Sequence, residues 1–337
     1  MKKLLYEVSI IRPLVIFLLI FMHSFTVYTG AWPEFTCFEG NQLYFWMCKF
    51  ITGFRIETIA IVAGYVFSYQ SNTLHRTYEF IPFAKKKFSR LYIQCLFFGI
   101  FYYLIFLNTD TFNISSFIIQ VTSGAGHLWF LPMLFWCFLF IWAIDKYKPN
   151  KYLMFVILSL LSVLPIPWLP FGLQRSFHFI FYVYAGYLLW IYKSFIIERN
   201  KIRTILILCT LYVILVIAKT QIEIYLPIKE KTIITILSNT LHYFTSITGI
   251  MSMYLVVCRF TEKPNYIPSK FILNLSGICY GMYVFHQFIL KFLLYNTSLP
   301  CILGQGTPWV CFVITVFISY LLTKLFMNFK FGRLLIG

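Results

Sequence analysis

The sequence predicts an all-α, polytopic transmembrane helix bundle of about ten spans with both termini in the cytoplasm. Three observations carry this expectation. Of 337 residues, 60% are hydrophobic and only 12% are charged, about half the charge of a soluble domain, and mean hydropathy is +0.78. Apolar runs recur along the whole chain at lengths that match a hydrocarbon core of about 30 Å. The basic residues between those runs alternate in density from one loop to the next.

The runs fall near residues 8–30, 53–71, 90–107, 127–144, 152–168, 176–193, 203–219, 233–257, 271–291 and 307–327. Lys2 and Lys3 precede the first run. No small-residue cleavage motif follows it, so it reads as an uncleaved first span. The aromatic stretch from Asn41 to Thr52 is expected to lie along the outer interface before the second span. The fifth run is the weakest, because Pro165, Pro167 and Pro170 break its end.

Loop charge sets the orientation. The N-terminal side and every second loop after it hold roughly three times as many Lys and Arg as the other side, which carries Lys49, Arg55, Arg175, Lys219, Lys229, Lys231 and Lys291. The positive-inside rule therefore puts both ends in the cytoplasm and makes the number of spans even. The net charge of +17 reads as topology. Nucleic acid is not an expected partner, because the cations are dispersed between apolar runs and form no contiguous basic face. No internal repeat, low-complexity tract or segment long enough for a second domain is visible, so residues 1–337 are expected to form one domain.

The nine cysteines include no C-x-x-C pair. Cys95, Cys137, Cys209, Cys258, Cys279 and Cys311 lie in apolar segments, where a thiol behaves as a small buried hydrophobe. Cys37, Cys48 and Cys301 fall in or near outer loops, where a disulfide is possible but spacing alone does not establish one.

The polar residues inside the spans carry the functional reading. Arg12 sits near the start of the first span and His23 deeper in it. Eleven residues at about 100° each is close to three turns, so both leave one helix face, roughly 16 Å apart. An ionisable group at membrane depth costs at least about 2.5 kcal/mol for Arg, and its default reading is functional. One face with a cation near a membrane surface and a proton carrier further in suits a long, anionic cosubstrate. The other histidines in spans, His127, His178, His242 and His286, gather towards the predicted outer half. For His178 and His242 an interfacial role without chemistry is an equal reading. The histidines lack zinc-ligand spacing, so no metal is expected.

Glu57, at the outer start of the second span, is the deepest carboxylate. Arg55 lies on nearly the opposite helix face, so Glu57 is expected to orient His23 or another base, or to sit at the water boundary. Lys85-Lys86-Lys87-Phe88-Ser89-Arg90 leads into the third span. It reads as a topology signal, an anionic-lipid contact or a phosphate cradle. His127-Leu128-Trp129-Phe130-Leu131-Pro132 follows Gly124-Ala125-Gly126 at an outer boundary and suits an aromatic belt or a sugar-binding mouth.

These motifs, in this order, resemble the acyltransferase-3 family of integral-membrane acyltransferases, which O-acylate cell-surface carbohydrates. The likeness rests first on Arg12 and His23 with ten residues between them. It rests next on Ala63-Gly64-Tyr65-Val66-Phe67, similar to the family's F-I-S-G-Y-L-F, and on Lys87-Phe88-Ser89-Arg90-Leu91, similar to its R-x-x-R. His127-Leu128-Trp129-Phe130-Leu131 joins Ser276-Gly277-Ile278-Cys279-Tyr280-Gly281-Met282-Tyr283-Val284-Phe285-His286, which is similar to S-Y-G-I-Y-L-x-H. Together they cover residues 8 to about 290. The chain departs from the pattern in three places. Lys87 stands where arginine is frequent, so a bidentate phosphate contact becomes a point charge. The usual phenylalanine run before Gly64 is missing, and Glu57 replaces an apolar residue. The chain also ends at Gly337, without the extracytoplasmic hydrolase-like domain of some members, so acceptor chemistry is expected within the bundle.

The resemblance implies a multi-pass protein of the bacterial inner membrane that uses an acyl-coenzyme A, most often acetyl-CoA, as cosubstrate and a glycan hydroxyl as acceptor. On that reading Arg12, Lys86, Lys87 and Arg90 hold the nucleotide phosphates. His23, with Glu57, supplies base or nucleophilic catalysis, and His127, Trp129, Tyr283 and His286 line the acceptor side. A glycan or lipid-linked sugar transporter is the main rival, and an assembly factor of a polysaccharide synthesis complex the second. Neither the acceptor nor the oligomeric state is legible.

Overall fold

The computed structural model describes residues 5–107, 113–225, 232–263 and 266–336. Lys2, Lys3, Lys229 and Lys231 of the charge distribution lie outside them. The described residues are helical, with no strand among them. In chain order, α1 (Tyr6–Ser24) is followed by a 3-10 turn over Thr26–Thr29, α2 (Gln42–Thr52) and α3 (Arg55–Ser68). Next come α4 (Phe80–Lys87) and α5 (Ile93–Phe106), linked by a π-helical turn at Phe88–Tyr92, then α6 (Ile114–Ser123) and α7 (Phe130–Tyr147). The chain continues through α8 (Lys151–Val163), α9 (Leu173–Ile191), α10 (Lys193–Glu198), α11 (Ile202–Tyr225) and α12 (Thr232–Thr261). It finishes with α13 (Lys270–Tyr295), α14 (Leu299–Leu303), α15 (Thr307–Asn328) and α16 (Lys330–Ile336).

Local sequence sets several starts. The side chain of Asn41 accepts from the Tyr44 N–H at 3.2 Å and caps α2. Asn113 caps α6 in the same way at 2.9 Å, and Ser269 caps α13 at 3.3 Å. Asn150 accepts from both Tyr152 and Leu153 and opens α8 immediately after Pro149.

Eight helical stretches are long and apolar enough to cross a membrane: Tyr6–Ser24, Gln42–Thr73, Phe80–Phe106, Gly126–Tyr147, Ile202–Tyr225, Thr232–Thr261, Lys270–Tyr295 and Leu299–Asn328. Two of the ten predicted runs are not among them. The fifth is helical for only 13 residues, because the backbone turns extended at Leu164, ahead of the prolines. The sixth forms α9, where Gln174, Arg175, His178 and three tyrosines dilute the hydropathy. These two helices pack on each other. With the pair counted in or out, the number of crossings stays even, which keeps both ends on one side. The aromatic stretch at 41–52 is α2, and with α3 it forms a single 32-residue candidate span.

The distribution of side chains is that of a membrane protein. On α15, Val313, Phe317, Leu321 and Leu325 form an exposed apolar row. Thr315, Ser319 and Thr323 face inward, each fully buried. A water-soluble helix would reverse that arrangement.

The chain forms two compact units. The first comprises Met1–Ile56, Ile197–Pro227 and Phe244–Gly337, and the second Glu57–Ile196 and Ile228–Tyr243. In the first, α13 packs on both α1 and α15. In the second, α9 packs on both α7 and α8. Close helix contact explains Gly64 and Gly281 of the sequence motifs, and Gly186 besides. A Cβ on Gly64 of α3 would fall inside the Val183 carbonyl of α9, and one on Gly186 inside the Ile61 carbonyl. Backbone meets backbone at both points, so only glycine lets the pair approach. Gly281 of α13 likewise leaves room for Thr323 of α15.

Candidate functional site

Helices α1 and α13 bring the first set of predicted residues together. Arg12, an exposed residue in the first half of α1, lies within electrostatic reach of Cys279 on α13. Further along both helices, the rings of His23 and His286 lie 5.3 Å apart. Each step leads towards the C-terminal end of its helix, so α1 and α13 run parallel. That is the arrangement expected if both enter from the cytoplasm. His23 sits in the last turn of α1, nearer the end than the predicted 8–30 span implies, because the helix stops at Ser24 and tightens into the 3-10 turn.

The loop that follows covers this end. Trp32 stacks on His23, with ring centroids 5.4 Å apart and planes 16° apart. The Lys291 ammonium lies over the same indole at 5.6 Å. The loop is anchored by a Cys37–Cys301 disulfide, with a Cα separation of 5.2 Å, well inside bridging range. Cys48, the third candidate, is a buried free thiol.

His286 is fully buried. Its Nδ1 sits 2.6 Å from the carbonyl oxygen of Tyr283. A carbonyl only accepts, so Nδ1 carries the proton of this contact. The Tyr283 ring is 5.9 Å from that imidazole. His23, His286 and Tyr283 thus form one cluster. Between Arg12 and His23, Val15, Ile16 and Leu19 are buried at 1, 6 and 1% exposure, so the face joining the two is an apolar stripe.

The second unit contains a polar cavity of about 250 Å³, lined by Glu57, Trp129, Ser162, Arg175, His178, Phe179, Tyr182, Asn239 and His242. Glu57 is 2% exposed, and its Oε1 meets His242 Nε2 at 2.9 Å. The carboxylate predicted to orient His23 or another base therefore pairs with His242. Across the cavity, the Arg175 guanidinium lies 4.5 Å from the centre of the Trp129 ring. His178 Nδ1 contacts the Ser162 carbonyl at 3.2 Å, and Asn239 donates to the Val163 carbonyl at 3.0 Å. His127 is buried apart from the cavity wall, edge-on to Tyr102 at 5.6 Å.

The remaining candidates lie at the entry to α5. Lys86 and Arg90 are exposed. Lys87 is half-buried, with its ammonium 3.3 Å from the centre of the Phe138 ring. The structure turns this lysine onto an aromatic face and leaves its neighbours outward. No group of three or more His, Cys, Asp or Glu close enough to hold a metal ion occurs among the described residues.

Sequence reasoning missed Trp32, Arg175 and Asn239 and left His242 undecided. Trp32 lies in a loop whose position depends on a disulfide between residues 264 apart, so no local signal marks it. Arg175 was legible only as an outer-side cation. A search for titratable residues at the outer ends of different spans groups Glu57, Arg175, His178 and His242, and it is the one signal that could have found the cavity.

In a comparison with protein families, the acyltransferase-3 family model, described as an acyltransferase domain, matches residues 5–326. No curated protein and no solved structure matches the chain.

Proposed function

The chain belongs to the acyltransferase-3 family and is a multi-pass membrane acyltransferase, and from that premise we propose that it transfers an acetyl group from acetyl-CoA to a hydroxyl of a cell-envelope polysaccharide in a bacterial inner membrane. The meeting of His23, in the last turn of α1, with His286 of the parallel α13, beneath Trp32, carries this reading.

The reaction breaks the thioester C–S bond and forms an ester C–O bond. His23 takes the proton from the acceptor hydroxyl as its oxygen attacks the thioester carbonyl, and the imidazolium so formed returns that proton to the departing sulfur, which leaves as the coenzyme A thiol. Trp32 stacks on the imidazolium as it forms. His286, with Nδ1 fixed by the Tyr283 carbonyl, holds its ring 5.3 Å from that of His23.

Arg12, on the predicted cytoplasmic side, is the proposed phosphate contact on α1. Lys86, Lys87 and Arg90 are the proposed cations of the second unit. The roughly 16 Å from Arg12 to His23 is comparable to the length of an extended pantetheine arm. Incubation of the purified protein with acetyl-labelled acetyl-CoA and candidate glycans tests the proposal. Label in the glycan with stoichiometric thiol release supports it, whereas movement of intact glycan without thiol release supports a transporter.

A further inference from the structure

The cavity of the second unit is lined by polar and aromatic side chains. Its walls come from the start of α3, the turn into α7, the end of α8, the start of α9 and the first turns of α12. In the predicted topology every one of those points is at the outer membrane face. An exported glycan is presented on that side.

The lining has a polarity gradient. Arg175 is exposed, so it stands at the mouth, while Glu57, 2% exposed, forms the floor. One Glu57 oxygen meets His242, but Oε2 is buried and has no hydrogen-bond partner among the described residues. A buried carboxylate oxygen left in that state costs free energy that a donor would recover. That oxygen is closed to the cavity, so a ligand meets the Glu57–His242 pair through the His242 ring, whose side chain is 30% exposed.

At the mouth, Arg175 lies on the Trp129 indole, which holds the guanidinium plane in a defined orientation. A planar guanidinium recognises a carboxylate through two parallel hydrogen bonds. Glu57, the one acidic residue of the lining, lies at the floor and engages His242, so the mouth presents positive charge to an incoming group.

The volume of about 250 Å³ falls just below the usual range of about 300–1,000 Å³ for small-molecule pockets. It has room for about one sugar ring. Asn239, Ser162 and Tyr182 add polar groups around the wall.

We propose that this cavity binds a uronate-type sugar, with its ring hydroxyls on the Glu57–His242 pair and the carboxylate on Arg175. The proposal rests on the reading that the acceptor is a glycan and narrows it to an acidic one.

Saturation-transfer NMR on the full chain in phosphatidylcholine nanodiscs, without acyl donor, tests it with three probes: methyl glucuronide, methyl glucoside and glycerophosphoglycerol, the headgroup of an anionic lipid. Methyl glucuronide should bind about tenfold more tightly than methyl glucoside, and glycerophosphoglycerol most weakly. Arg175→Met, a change at an exposed side chain, should remove that tenfold preference. Glu57→Gln should weaken both sugars and leave the preference in place. Equal binding of the two sugars, a preference for glycerophosphoglycerol, or an unchanged preference in Arg175→Met would overturn the proposal. Because no donor is present, the two readings fail separately. Glucuronide binding without any acyl transfer would sink the transferase mechanism alone, and acyl transfer without a glucuronide preference would sink the pocket alone.

Discussion

Replacing Trp32 with alanine tests whether the outer loop takes part in the reaction. The indole stacks on His23 at 5.4 Å with nearly parallel planes. A cation within about 6 Å of an indole face gains about 0.5–1 kcal/mol when exposed and about 2 kcal/mol when desolvated. Both residues are half-buried, so the stack is worth about 1 kcal/mol. If it strengthens as His23 takes up the acceptor proton, Trp32→Ala lowers kcat/KM about fivefold. Trp32→Phe, which keeps a smaller ring face, should lose less. Thiol release from acetyl-CoA in the presence of the glycan gives the rate. The His23→Ala variant sets the scale, since a well-placed base contributes about 10²–10⁴-fold. Two results would refute the reasoning. A Trp32→Ala enzyme at the wild-type rate removes the stack from the mechanism, and one as slow as His23→Ala gives the indole a larger role than stacking.

Other expectations follow from the same geometry. Gly281→Ala should lower stability by about 1–3 kcal/mol, since its Cβ meets Thr323. Gly277→Ala, in the same helix with nothing within 4 Å of the new Cβ, should be neutral or stabilising by about 0.5–1 kcal/mol. Thermal unfolding in detergent compares the two. Maleimide labelling of the denatured protein should count two more thiols after reduction, and Cys301→Ser should abolish that difference. Arg12→Ala should raise the KM for acetyl-CoA far more than that for the glycan, and a rise for the glycan alone would contradict its role as a phosphate contact.

The sequence announced the helical membrane class because apolar runs of bilayer length have no other stable use. It also placed Arg12 and His23 on one face, because helix period is a local property. Tyr283 and His286 were expected on the acceptor side, and their position beside His23 depends on how α13 packs against α1. Glu57 shows where such reading ends. Its burial was foreseeable from its depth, but its partner, His242, is 185 residues away, and only tertiary packing chooses it from several histidines. The shortening of the fifth run was foreshadowed by its three prolines. The inward turn of Lys87 onto Phe138 was not, because a charged residue next to a span reads equally well as a surface cation.

The most direct test of the central claim is transfer of labelled acetyl from acetyl-CoA to purified envelope polysaccharide by wild-type and His23→Ala protein, each first shown to be folded and membrane-inserted. The account predicts ester-linked label in the polysaccharide with wild type and a loss of about 10²–10⁴-fold with His23→Ala. Equal transfer by the two proteins would contradict it.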